Sequence, residues 1–354
     1  MRLSSSFPHQ LVPTLVLALA IACAQNVLAQ DKIFPLKNGA EGIAASGKIV
    51  ERTRDKVVIE KGGANQNFDT NQISRVVFEG EPVSLTQAKR LIREGNVDQA
   101  IEEFRKIDQS ALKSDELKQD YAFYRGYISA LNALRGKGDA AAATKVLMAW
   151  AKDNSTSHLF YMASEKLGEL AIASGTPDQA SKFFDILGKS PFDDFKVKGN
   201  YLSGKALFAN KQIPEARAKY SLVGQSQVSD PVSLKFKKLA SLAAIRCDAA
   251  EGKTPQAIEA LEKMVDEGDS TDAELFSELF NALGGILRTA GNNDEAILAF
   301  LKTDLLYSTE QDAHAEALFN LAQLWSAVGE NIRATEAKSR LAKLYPTSPW
   351  LNKK

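Results

Sequence analysis

The chain is expected to be mainly α, an α-solenoid of about seven helical hairpins preceded by a small β-barrel-like domain. Three observations predict this. A phrase of glycine, four residues and alanine, usually followed four residues on by a bulky apolar side chain, recurs seven times between Glu94 and Arg340. Its copies begin 36 to 43 residues apart, the period of a supersecondary unit that buries its apolar face only against neighbours. Ahead of the repeats, from Lys37 to Phe78, valine, isoleucine and threonine alternate with turn-forming pairs. Ahead of that lies a short apolar run.

The run comes first in the chain. Arg2, the apolar stretch Leu11 to Ala22 and the small-residue site Val27-Leu28-Ala29 form the layout of a secretory signal peptide over residues 1–29. A second cut after Ala24 also fits, and a lipid anchor at Cys23 is the alternative, although Ala20-Ile21-Ala22 matches a lipoprotein box poorly. The chain is therefore expected to be exported, periplasmic or peripheral in the outer envelope. No later stretch reaches the roughly 18 apolar residues of a membrane-spanning helix. Maturation leaves Cys247 alone, expected as a small buried hydrophobe. Lys+Arg and Asp+Glu number 44 each, which argues against a nucleic-acid partner.

Residues 30–80 are expected to form the β module. Strands are placed near Gly42–Arg52, Lys56–Glu60, Asn67–Asp69 and Ser74–Glu79, with turns at Asn38-Gly39 and Gly62-Gly63. Val57 and Ile59 should face one way and Val58 the other. The string from Gly47-Lys48-Ile49-Val50 through Lys56-Val57-Val58-Ile59-Glu60 to Ile73-Ser74-Arg75-Val76-Val77-Phe78 resembles small SH3-like or Sm-like barrels. The resemblance implies docking against the helices or binding of a cell-wall peptide or protein. Too few aromatic residues are present for RNA stacking. Glu79-Gly80-Glu81-Pro82 forms a joint, and Ser84 is placed to cap a helix starting at Leu85.

Residues 83–350 carry the repeats. Gly95, Gly138, Gly175, Lys211, Gly252, Gly291 and Gly329 end the first helix of each hairpin; Ala100, Ala143, Ala180, Ala216, Ala257, Ala296 and Ala334 follow. The cap position favours glycine because it is left-handed. Asp98, Asp139, Asp178 and Asp294, or Pro177, Pro214 and Pro255, suit the start of the second helix. The alanine sits where two helices cross, and the bulky residue four later packs one turn on. Seven residues before the cap stand Ala88, Gly168, Gly204, Gly284 and Ala322; four before it stand Leu91, Leu134, Ala171, Leu207, Leu287 and Trp325. With these spacings the array resembles the tetratricopeptide (TPR) repeat over about three-quarters of the chain. The second copy departs from it with Leu131 at the small position. The fifth departs with Ile245 and Asp248, so its register is open to a one-residue slip toward Ala244. The layout of signal peptide, β module and long TPR array is similar to Planctomycetes-type envelope proteins. The terminal unit, ending at Pro346 and Pro349, looks like the close of TPR units in proteins associated with the Tol–Pal system or outer-membrane assembly.

The TPR resemblance implies a concave groove lined by residues three before and one or four after the small position. Here these include Ile128, Asn132, Arg135, Glu165, Glu169, Ile172, Tyr201, Lys205, Phe208, Asn281, Arg288, Phe319 and Gln323. Such a groove suits an extended peptide or a helix of a protein partner. The carboxylate-clamping set of some TPR grooves is matched only by Asn132. No phosphate loop, nucleophile elbow or metal-ligand spacing is present, and no cofactor is implied. His158 is expected at the surface. The reading is a non-enzymatic scaffold or adaptor of the bacterial envelope. An outer-membrane-associated lipoprotein of envelope assembly and, more remotely, a cell-wall turnover enzyme are the alternatives.

Overall fold

A computed structural model describes residues 30–353 apart from 38 and 347. The signal-peptide reading of residues 1–29, with Cys23, lies outside the described residues. Six antiparallel strands come first: β1 (Asp31–Lys37), β2 (Ala40–Glu41), β3 (Ala45–Arg52), β4 (Lys56–Lys61), β5 (Ala64–Asp69) and β6 (Ile73–Val77). Fourteen α-helices follow as seven hairpins. First helices α1 (Val83–Arg93), α3 (Asp115–Leu134), α5 (Phe160–Ala173), α7 (Asp193–Ala209), α9 (Pro231–Ala250), α11 (Ala273–Thr289) and α13 (Gln311–Ala327) alternate with second helices. The latter are α2 (Val97–Arg105), α4 (Ala140–Asp153), α6 (Pro177–Gly188), α8 (Ile213–Gln225), α10 (Thr254–Glu267), α12 (Asn293–Leu306) and α14 (Asn331–Leu344).

The ladder of the module runs β5-β4-β3-β1-β6, with β2 beside the end of β1. β1 is central, and it is absent from the strands expected above. Pro35 hid it, because proline disfavours a central strand; the register between β1 and β6 shifts at Phe34/Pro35 to accommodate it. β5 starts earlier than expected, since its Asn65, Gln66 and Asn67 are exposed and show no apolar alternation. Val57, Val58 and Ile59 are all buried, so β4 is covered on both faces. A short 3-10 turn, Thr70–Gln72, leads from β5 into β6.

All seven repeat alanines are buried, six of them completely or to within 1 %. The reason lies on the facing helix. A Cβ at Gly168 would stand 2.4 Å from the ring of Phe184, at Gly204 2.5 Å from Tyr220, and at Gly284 2.7 Å from Phe300. Each ring therefore packs directly against a bare backbone. In the second hairpin the fit is made differently. Gly136, at φ +71°, is the left-handed cap in place of Gly138, which lengthens the turn by two residues. The close packing in this hairpin falls on fully buried Ala130 and on Gly126, whose Cβ would lie 3.2 Å from Leu147, and not on half-buried Leu131. In the fifth hairpin Cys247 is fully buried five residues before its cap Gly252, as Leu170, Ala206 and Leu324 are before theirs, so the register stands without the one-residue slip. Asp248 turns outward and pairs with Arg217 at 2.8 Å. Helix α1 begins at Val83 with Pro82 at the N-cap, and Ser84 makes no cap bond.

One apolar core runs from the module (Ile33, Val57, Ile59, Phe68, Val76, Phe78) into the first three hairpins as far as Leu170. A second runs from Val197 to Ala337. Between them lies a small cluster of Ala171, Ala180, Phe184 and Ala206. The joint between module and array is ionic as well as apolar. The Lys89 ammonium, on α1, is fully buried and donates to the Val76 carbonyl at 2.9 Å, to Glu81 at 2.6 Å and to Asp120 of α3. Burial, only partly opposed by the Lys89 charge, pushes the Asp120 carboxyl up to about 6. Further out, Arg54 donates to the Ser155 carbonyl at 2.9 and 2.6 Å and lies over Phe160. Tyr161 donates to Asp55 at 2.9 Å, and Asn71 to Asp194 at 3.0 Å. The module thus touches the starts of successive first helices. His158, expected at the surface, is buried beside this joint, and desolvation lowers its imidazole to about 3.

Local strain and buried charge have three measurable consequences. Lys211 holds the cap of the fourth hairpin at φ +62°, a conformation costing an L-residue about 1 kcal/mol or more. Lys211→Gly should raise stability by about 1 kcal/mol in urea unfolding. Lys89→Met leaves two carboxylates buried without a cation and should cost roughly 3–5 kcal/mol. Because the folded Asp120 carboxyl titrates above its unfolded value of about 3.9, its contribution is full below that pH and is lost as pH rises through about 6. The wild-type stability curve should therefore fall more steeply than that of Asp120→Asn between about pH 4 and 6.

Candidate functional site

Side chains from successive first helices meet along one face of the stack. Its N-terminal part is electrically closed. Glu165 pairs with Lys198 at 2.7 Å, and Lys166 with Glu169 at 2.7 Å. Burial raises the Glu165 carboxyl, but the Lys198 and Lys166 charges outweigh it and hold it below its ordinary value. Tyr127 stands over Lys166 at 5.9 Å, its hydroxyl pushed up to about 12 by burial. Ile172 is exposed.

The expected groove positions on α3 do not belong to this surface as a set. Arg135 pairs with Asp98 of the preceding hairpin at 2.7 Å, and Asn132 donates to the Lys137 carbonyl at 2.9 Å. Arg135 thus ties the end of α3 to α2, Asn132 braces the turn around Gly136, and Ile128 is buried. The register error at Leu131 accounts for the misplacement; Tyr127 was missed for the same reason.

The central part is assembled from four helices. Phe208 of α7, Arg246 and Ala249 of α9, Asn281, Gly285 and Ile286 of α11 and Glu316 of α13 line a cavity of about 260 Å³. Tyr201, nearly buried, packs against Phe236 at 5.4 Å between ring centroids. The Lys205 ammonium lies 5.8 Å from the Tyr201 ring, and the Arg246 guanidinium 5.2 Å from Phe208. Neither cation forms an ion pair among the described residues. The groove walls crowd Lys205 although its side chain reaches solvent. Desolvation acts against both cations; Tyr201 and Glu278 more than compensate at Lys205, and Glu316 and Glu278 at Arg246, so both are held above their ordinary values. Burial raises the Glu316 carboxyl despite Arg246 nearby. Asn281 is buried; its amide donates to the Ala313 carbonyl at 2.8 Å, and its Oδ1 accepts no hydrogen bond. Arg246, Glu278 and Glu316 were not among the expected residues. Arg246 and Ala249 stand one and four after Ile245, so Arg246 was legible in the unshifted register of α9.

At the C-terminal end, Arg288 donates to the side-chain oxygens of Asn320, at 2.7 Å, and Gln323, which ties α11 to α13. Phe319 packs against Trp350, 5.3 Å between centroids. Among the described residues no group of three or more His, Cys, Asp or Glu side chains could hold a metal ion. No helix of the described residues is long and apolar enough to cross a membrane.

No family model matches the chain, and no curated protein is similar to it. Solved structures are similar in fold. A tetratricopeptide repeat protein from Parabacteroides merdae ATCC 43184 aligns with a TM-score of 0.56 at 13% identity, covering 76% of this chain and 94% of that one. A Rap protein complexed with Competence and Sporulation Factor aligns with a TM-score of 0.51 at 15% identity, covering 74% and 75%. The fold is a TPR-like α-solenoid. Its seven hairpins and the small-residue crossings agree with the repeat spacing of the sequence.

Proposed function

We propose that the chain is a non-enzymatic scaffold of the bacterial cell envelope that holds a peptide or protein partner against the inner face of its first helices. The observation that carries this reading is the central surface itself. Four helices present aromatic rings, cations without ion-pair partners and an unsatisfied amide oxygen in one place, with no arrangement of nucleophile, base and oxyanion donors beside them. The Rap structure, solved with Competence and Sporulation Factor, lends the reading support as a protein of like fold. The leader-like residues 1–29 support export to the periplasm or outer envelope, and a lipid on Cys23 is the alternative form of attachment. The ladder order and the 3-10 turn before β6 support an SH3-like reading of the module. Its buried joint to α1 and α3 gives it a docking role, and a cell-wall component is its proposed second ligand.

Site-specific photocrosslinking in cells tests the groove. A photoreactive residue at Gly285, where added atoms meet open space, should capture a partner. One at Lys263, exposed on the second helix α10, should not. Equal capture from both positions, or none from Gly285, contradicts the reading.

A further inference from the structure

The central cavity has a chemical bias, and this deepens the scaffold reading on which it rests. Arg246 lines it, and two further cations stand close to Arg246 and Glu316: Lys205 and, from the chain's C-terminal segment, Lys353, whose ammonium lies 3.5 Å above the Trp350 ring. Glu316 lines it and Glu278 stands nearby, and each of the five groups acts electrostatically on others of the set. The charge balance is positive by one when all are ionised.

Lys205 and Arg246 lie against aromatic faces, while Glu278 and Glu316 act on them from beyond ion-pair distance among the described residues. A guanidinium lying on Phe208 keeps its N–H edge directed away from the ring, and that edge matches a carboxylate in a two-point contact. The Lys205 ammonium keeps donors free in the same way. The Asn281 Oδ1 is a buried acceptor without a donor; such an atom is costly unless something supplies an N–H or O–H. The cavity floor of Ala249, Ala282 and Ile286 is apolar. We propose that this cavity binds an extended segment of a partner protein through an aspartate or glutamate side chain, seated between Lys205 and Arg246, with a backbone N–H of the same segment donating to Asn281 Oδ1.

Fluorescence anisotropy with capped, labelled ten-residue peptide mixtures tests this. Three mixtures differ only in a fixed central glutamate, glutamine or lysine. The glutamate mixture should bind the chain of residues 30–354, and the glutamine and lysine mixtures at least about tenfold more weakly, the loss expected on removing hydrogen bonds to a charged group. The doubly substituted Lys205→Gln/Arg246→Gln chain should lose the preference, with thermal unfolding followed by circular dichroism confirming that it is folded. Gly285→Trp should block all binding by filling the groove. Equal binding of the three mixtures, abolished by Gly285→Trp but untouched by the double substitution, overturns the acidic preference and leaves the groove reading standing. No binding of any mixture, or binding indifferent to Gly285→Trp, overturns both.

Discussion

The array depends on aromatic rings that lie where a side chain would otherwise begin. At Gly168, Gly204 and Gly284 the second helix of the hairpin brings Phe184, Tyr220 or Phe300 so close that even a methyl group could not fit without displacement. The buried alanine one turn earlier on the second helix, Ala180, Ala216 or Ala296, completes the approach. Each crossing fixes the angle within its hairpin, and repetition carries that angle along the stack. Once the seam of a first helix is committed to its partner, the residues three before and one after the small position must turn to the inner face. Tyr201, Lys205, Asn281 and Gly285 occupy such places because Gly204 and Gly284 occupy theirs.

That dependence also explains how much was legible. Spacing from glycine cap to alanine fixed seven hairpins, and the glycines expected at the small position, Gly168, Gly204 and Gly284, stand at the crossings. It failed where the turn changed length. With two glycines near the end of α3, Gly136 and Gly138, only backbone conformation distinguishes the cap, and the wrong choice carried Asn132 and Arg135 onto the groove. The fifth hairpin has no glycine at its crossing, so Arg246 was left unplaced. β1 escaped because Pro35 breaks its pattern. His158 was misjudged because its polar neighbours Ser155, Thr156 and Ser157 surround it in sequence, whereas in space the module covers it. Neither the burial of Lys89 nor its two carboxylates could be read from sequence, since they arise from contact between separate segments.

A solenoid must close both ends of its apolar core, and this one does so in two ways. At the N-terminal end the module shares a core with α1 and α3, and the Lys89 network fixes its placement. Buried ion groups of this kind give directional definition more than net stability. At the other end His314 joins Tyr345 at 2.6 Å and Asp304 at 2.7 Å, and Asp304 accepts from Arg340 at 2.6 and 2.8 Å. His314 and Arg340 offset the burial of Asp304 and hold its carboxyl down, at about 2. Charged groups at both ends are thus paired, as are those of the N-terminal part of the groove. The unpaired cations of the central cavity stand out against that background.

A double-mutant cycle at Gly284 and Phe300 tests the crossing constraint most directly. Gly284→Ala alone should destabilise the chain by roughly 1–3 kcal/mol through overpacking, helix propensity notwithstanding. In a Phe300→Leu background, where the smaller side chain leaves room for the methyl group, the same change should cost less by at least about 0.5 kcal/mol. Costs that simply add, or a Gly284→Ala chain more stable than the parent, would show that the ring does not govern the approach of the two helices.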